Sequence, residues 1–126
     1  MTLSRITCGA ALALTLVGFA PVHAQDVQTA TGNGAVLRVL DKINGEVEDL
    51  RVGNGQSANL WRIQVDLGDC RYPAGNPAGD AFAFVTLRHQ GVQEPLFRGW
   101  MIASAPALNA LDHPRYDVWV IRCTTS

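Results

Sequence analysis

The chain has 126 residues, 48% of them hydrophobic and 17% charged, with 10 basic against 11 acidic side chains and a formal net charge of −1. That length suits one domain and is short for two. The apolar share belongs to a folding chain rather than a disordered one, and the near-balance of charge excludes a strongly basic nucleic-acid binder.

Residues 1–24 read MTLSRITCGAALALTLVGFAPVHA. A single charge, Arg5, precedes an apolar run over residues 6–20; Pro21 breaks it, and Val22-His23-Ala24 sets small or modest residues before a cut. This is the three-part plan of a secretory signal peptide, and cleavage is expected after Ala24. A retained membrane anchor is the weaker alternative, because the run falls short of the roughly 20 residues that a bilayer core requires. Cys8 lies at the start of the apolar run instead of closing it and is not placed to carry a lipid. The expected product is periplasmic or secreted, with no transmembrane segment after cleavage.

Residues 25–34 (QDVQTATGNG) are polar and read as a flexible leader, followed by a single β-rich domain over residues 35–126. Residues 35–52 read as a hairpin turning at Asn44-Gly45, since both central positions of a tight two-residue turn need positive φ. Centred there, the hairpin sets Leu37 against Val52 and Val39 against Leu50, with an unfavourable Asp41–Glu48 pair beyond them. Residues 59–67 (NLWRIQVDL) alternate, with Trp61, Ile63, Val65 and Leu67 on one face of an expected strand. Residues 68–80 hold Pro73, Pro77, Gly75 and Gly79 and read as a loop. Strands are expected over residues 81–89 and 96–102, the latter interrupted by Gly99, which points to a bulge or a close backbone approach.

Residues 104–112 (SAPALNALD) read as a helix. Ser104 serves as its cap, Pro106 sits in its first turn, and Leu108 and Leu111 press onto the sheet. Asn109 is left to bond outward or to a nearby backbone. Asp112-His113-Pro114 reads as the helix C-terminus, where His favours the negative dipole end. A last strand over residues 115–123 puts Trp119, Ile121 and Cys123 on one face. The expected fold is mainly β, a small antiparallel sandwich or barrel of about six strands with one short helix near the C-terminal end.

Cleavage would leave Cys70 and Cys123 as the two cysteines, and in an exported chain these read as one disulfide. The alternative is two separate buried thiols; CxxC and CxxH spacings that would favour a metal are absent from the sequence. The remaining reactive side chains suggest chemistry only weakly. Ser104, His113 and Asp117 could compose a triad, but Ser104 lacks the G-x-S-x-G elbow. His89, His113 and Asp112 could ligate a metal, but no helical i,i+4 His pair supports them. No catalytic residue, metal or cofactor is therefore assigned. Trp61, Trp100 and Trp119 are expected in the core; exposed together, they would instead make a sugar-stacking platform. Arg38, Arg51, Arg62, Arg98 and Arg122 alternate with apolar residues and are expected on a solvated or partner-binding face.

Two stretches carry a family resemblance, VLRVLDKINGEVEDLRVGNG over residues 36–55 and FRGWMIASAPALNALDHPRYDVWVIRC over residues 97–123. They resemble domain-of-unknown-function family 2155, a set of exported bacterial proteins, over about residues 35–123. The family has no assigned activity, cofactor or catalytic residue, so the resemblance implies none here; both cysteines match its pattern. Gly99, Trp100, Ser104, Asn109, His113, Tyr116, Asp117 and Trp119 form the signature of the second stretch and are the candidate functional or structural positions. The function expected is that of a non-enzymatic protein-binding or accessory module at the cell envelope. A small ligand- or glycan-binding module using tryptophans is the alternative, and a small hydrolase is the third reading.

Overall fold

The computed structural model describes residues 28–125 without a break and residues 9–11, 13 and 16–21 ahead of them. The cleavage point expected after Ala24 lies outside the described residues. Among those described, no helix is long and apolar enough to cross a membrane.

Among the described residues, eight strands form two antiparallel sheets and no closed barrel. They are β1 (Thr29–Thr31), β2 (Gly34–Asp41), β3 (Val47–Gly53), β4 (Ser57–Leu60), β5 (Ile63–Pro73), β6 (Phe82–His89), β7 (Pro95–Ile102) and β8 (Tyr116–Thr124). The larger sheet runs β1-β5-β6-β7, with β4 also paired to β5; the smaller runs β3-β2-β8. The core lies between them. Ile63, Val65, Leu67, Val85, Leu87 and Met101 face inward from the larger sheet, against Leu37, Val39, Val118 and Val120 from the smaller, all buried. Burial of each such side chain stabilises by about 1.5–3 kcal/mol.

The strand count exceeds the expected six for local reasons. Residues 59–67 are not one strand: the chain reverses at Trp61-Arg62, and Leu60 pairs with Ile63. Trp61 takes φ +51°, an outlier for a bulky side chain, and Gln90 holds the turn from both sides. Its side-chain amide donates to the Trp61 carbonyl at 3.0 Å, and its backbone N–H donates to the Arg62 carbonyl at 2.9 Å. Part of the stretch read as a flexible leader is strand β1, paired with β5 through Thr29–Pro73 to Thr31–Arg71. Part of the stretch read as a loop, residues 68–73, continues β5.

The β2–β3 hairpin keeps the expected inward face but slips by two residues: Leu37 pairs with Leu50 and Val39 with Glu48. The turn is longer than two residues because the β2–β3 ladder ends at Leu40–Val47, while Asp41 stays paired with Tyr116 of β8. The Asp41 carboxylate accepts the Ile43 N–H at 3.0 Å and two guanidinium nitrogens of Arg115, Nη2 at 2.9 Å and Nε at 3.0 Å. Gly45, at φ +78°, closes the loop by donating its N–H to the Asp41 carbonyl. The expected Asp41–Glu48 repulsion therefore never arises.

Two bulges decide which side chains meet the core. In β5 the extra residue is Gly68, covered by the Phe84 ring, so that a Cβ there would lie 3.0 Å from Phe84 Cδ1. In β8 the extra residue is Ile121: Leu37 pairs with Val120 and Val36 with Arg122. Each bulge shifts the alternation by one. Cys70 thus turns inward after Leu67, and Cys123 turns inward after Val120. They form a disulfide that ties the two sheets together, with Cα atoms 5.7 Å apart. The expectation that Trp119 and Ile121 share a face with Cys123 is corrected by the same bulge: Val118 and Val120 face the core, while Trp119 lies on the opposite, half-exposed face.

Candidate functional site

Residues 103–115 leave β7 at the edge of one sheet and enter β8 at the edge of the other. The expected helix is one 3-10 turn, Pro106–Leu108, without a side-chain cap. Ser104 is engaged elsewhere. Its hydroxyl donates to Asp80 Oδ2 at 2.6 Å and its N–H to Asp80 Oδ1 at 2.9 Å. Burial pushes the Asp80 pKa up, but the bonds from Ser104 and from the Ala81 N–H outweigh it and hold the carboxyl below its ordinary value. Leu108, expected against the sheet, is 76% exposed, while Leu111 is 6% exposed and fills the gap between the sheets. Three helical residues cannot bring an i,i+3 pair onto one face of a stable helix, so only one of the two leucines is buried.

Asn109 is bound to β7. Its amide donates to the Trp100 carbonyl at 2.9 Å and occupies the space that Gly99 leaves open; a Cβ on Gly99 would stand 2.7 Å from Asn109 Nδ2. The mid-strand glycine and the asparagine ten residues later are thus two halves of one contact, which satisfies an outward carbonyl of an edge strand.

His113 closes the segment. Its Nδ1 accepts the N–H groups of Arg115 at 3.0 Å and Tyr116 at 3.1 Å, which starts β8 without any helix end to cap. With Nδ1 committed as an acceptor, the neutral ring carries its proton on Nε2. That atom faces His89 Nε2 across the two sheets at 3.4 Å. Burial first, then His89 and Lys42, push the His113 pKa below its ordinary value. The His113 ring stacks on Tyr116, with centroids 5.3 Å apart, and Tyr116 stacks on Trp61 at 6.0 Å. Tyr116 is 1% exposed, and its buried hydroxyl has no hydrogen-bond partner among the described residues.

The reactive side chains do not converge on a reaction. Ser104 is bonded to Asp80, His113 faces His89, and Asp117 lies 3.4 Å from the Lys42 ammonium, so the three act with three separate partners. Among the described residues no group of three or more His, Cys, Asp and Glu side chains is placed to hold a metal. The His89–His113 spacing does not make a ligand pair either, because the facing nitrogen of neutral His113 bears the proton.

The tryptophans share no platform. Trp61, half-buried at the β4–β5 turn, packs against the core as expected, whereas two depart from it: Trp100 stands 41% exposed on the outer face of the larger sheet, and Trp119 lies on the outer face of the smaller. Trp100 meets Phe84 edge-on at 5.3 Å, and the Arg98 guanidinium lies 5.7 Å from the Phe84 ring centroid. The arginines divide by partner. Arg38 is bidentate to Asp49, and Arg88 pairs with Asp66, whereas Arg51 and Arg122 are exposed on either side of Val36 on the outer face of the smaller sheet.

The feature that sequence reading missed is the outer edge of β8. Beside its first half lies a hollow of about 300 Å³, lined by the apolar residues Pro106, Ala107, Ala110, Leu111, Val118 and Trp119 and by Asp117. Beside its second half lies another, of about 350 Å³, lined by Arg122, Thr124 and Thr125, by Arg51 of β3, and by Pro77 and Ala78 of the β5–β6 loop. Among the described residues, the main chain over residues 117–122 bonds to nothing beyond its ladder with β2. A run of four uncharged residues, Val118-Trp119-Val120-Ile121, was the available signal, but sequence alone does not say which strand ends a sheet.

A model of a family described as uncharacterised proteins conserved in bacteria (DUF2155) matches residues 35–123. An uncharacterised protein of Rickettsia prowazekii (strain Madrid E), RP359, is 26% identical over 94 residues, which cover 72% of this chain and 60% of that protein. The chain thus spans about 60% of the relative's length. No solved structure matches the chain. With the signature segment now accounted for residue by residue, and the match extending from the first core strand to the disulfide in the last, the chain belongs to the DUF2155 family.

Proposed function

We propose that the protein is an exported, periplasmic, non-enzymatic accessory module that binds a protein partner at the cell envelope, and that it docks along the outer edge of β8. The observation that carries this reading is the contrast in edge protection. Unpaired strand edges invite association and are ordinarily blunted by short length, proline, charge or a cover. β1 and β4 have three and four residues. β3 carries Glu48, Asp49 and Arg51 among its seven. β7 begins with Pro95, carries Arg98, and is covered by Asn109. β8 has nine residues, charged only at Asp117 and Arg122 with four uncharged ones in a row between them, and a mainly apolar hollow alongside. An edge left bare amid protected ones suits a surface kept for a partner.

Export is supported by the plan of residues 1–24 and by the position of two residues of the apolar run, Leu16 and Phe19, which stand 94% and 96% exposed and contribute nothing to the core. The non-enzymatic reading is supported by the separate partners of Ser104, His113 and Asp117. Photo-crosslinking in the native host tests both parts. A crosslinking amino acid at position 119 should give a discrete protein adduct in the periplasmic or membrane fraction, on a chain beginning at Gln25. The same group at position 98, on the opposite sheet, should give none. Equal adducts from both positions, or none from either, would count against the proposal, as would a mature chain that retains Met1.

A further inference from the structure

Resting on that reading, we infer that the partner presents an extended acidic segment that adds to β8 as a further strand, placing an apolar side chain in the hollow beside Trp119 and a carboxylate against Arg122 and Arg51.

Three observations converge. The ladder from Tyr116 to Val120 is regular, so its outward main-chain groups can pair with a guest strand; the bulge at Ile121 ends that regular stretch. Strand addition draws its affinity from such main-chain bonds and its specificity from pockets for alternate side chains. The hollow beside this stretch is mainly apolar and is bounded by the 106–111 segment, which suits an aliphatic or aromatic guest residue; its one carboxylate, Asp117, lies 3.4 Å from the Lys42 ammonium. Beyond the bulge the chemistry changes sign. Arg122 and Arg51 flank the second hollow, and its lining includes no Asp or Glu. The nearby Asp49 is already bidentate with Arg38; the Arg122 charge also acts on it, but among the described residues neither Arg122 nor Arg51 is engaged in a salt bridge. Guanidinium groups favour planar bidentate contacts with carboxylates. From Trp119 to Arg122 is about 10 Å along a strand, so the guest carries its apolar and acidic residues two to four positions apart. A basic or neutral segment would leave the arginines unmatched, and a folded convex surface would not reach the main-chain groups of β8.

The test is selection from a displayed library of random octapeptides on the disulfide-bonded protein, with the best peptide then remade synthetically. Enriched sequences should pair an aliphatic or aromatic residue with Asp or Glu at the stated spacing. Arg122→Glu should weaken the best peptide about tenfold or more at low salt and less at high salt, and Arg51→Glu should act in the same direction. Selection on Arg122→Glu should favour Lys or Arg at the acidic position. Methylating alternate backbone nitrogens of the peptide should abolish binding in one phase of the alternation and spare it in the other. Binding indifferent to methylation in both phases, or to both charge reversals, would overturn the inference. If no peptide is enriched while the position-119 crosslink persists, the partner docks as a folded surface, and the inference fails without the broader reading. If the crosslink is also absent, both fail. A concentration-dependent dimer of the protein, lost in Arg122→Glu, would assign the edge to a second copy and likewise overturn it.

Discussion

The edges of β7 and β8 are joined by the same thirteen residues, 103–115, yet the two are treated in opposite ways. At β7 the segment lays Asn109 onto the strand, against the Gly99 position and the Trp100 carbonyl. At β8 it stands off, and the apolar hollow lies between it and Val118-Trp119. The difference teaches that the segment is not a simple cap. It is pinned at Asp80, at Leu111 and at His113, and between those pins it seals one sheet and leaves a trough along the other.

The largest effect that can break this comparison comes from the tie beneath it. Replacing Cys123 with Ser opens a loop of 53 positions between β5 and β8 and should lower stability by about 4 kcal/mol, within a typical range of about 2–5. Urea unfolding of oxidised wild type against the variant measures it; a loss below about 1 kcal/mol would mean that the two sheets hold without the tie.

Next in size is the apolar pin. Leu111→Ala should cost about 2–5 kcal/mol, as for a buried leucine, whereas Leu108→Ala, three residues earlier and largely exposed, should stay within about 0.5 kcal/mol. Equal costs for the two would restore the helix that the sequence suggested.

A smaller effect sharpens the β7 side. Asn109→Ala should cost about 1 kcal/mol by freeing the Trp100 carbonyl. Gly99→Ala should cost about 1–2 kcal/mol, because the new methyl displaces the Asn109 amide. The two belong to one contact, so the double variant should lose less than the sum of the single ones; additive losses would separate them.

The smallest effect is a pH slope at the third pin. The folded His113 pKa lies below the unfolded value of about 6.5, so the folded state binds fewer protons than the unfolded one between the two values. Stability from this residue is complete above about pH 6.5 and is lost as pH falls through that window. Unfolding midpoints between pH 7.5 and 5 should therefore drift downward in the wild type and less so in His113→Ala. Asp41, held low by its bond to Arg115, contributes instead a loss that begins only below its unfolded value near 3.8. A slope unchanged in His113→Ala would show that His113 does not titrate with folding.

The residues themselves determined a great deal. Local alternation marked the inward faces of β2 and of β5 as far as Leu67, because burying one face of a strand imposes a period of two whatever lies across the sheet. The cysteine count marked the disulfide, and the two long motifs marked the family. What alternation could not foresee were the bulges at Gly68 and Ile121. Each extra residue is accommodated by a neighbouring strand, so the reversal that turns Cys70 and Cys123 inward and Trp119 outward exists only once the sheets are paired. The slip at Asn44-Gly45 has the same origin: the Asp41 carboxylate is held by Arg115, 74 positions away. The apparent helix failed because Ser104, Asn109 and His113, which locally suit a cap, a helix surface and a helix end, find partners at Asp80, at the Trp100 carbonyl and at the start of β8. Which strand ends as an uncovered edge follows from the order of strands in the sheet. That order is settled by packing over long separations, and only the tertiary structure placed the trough beside β8.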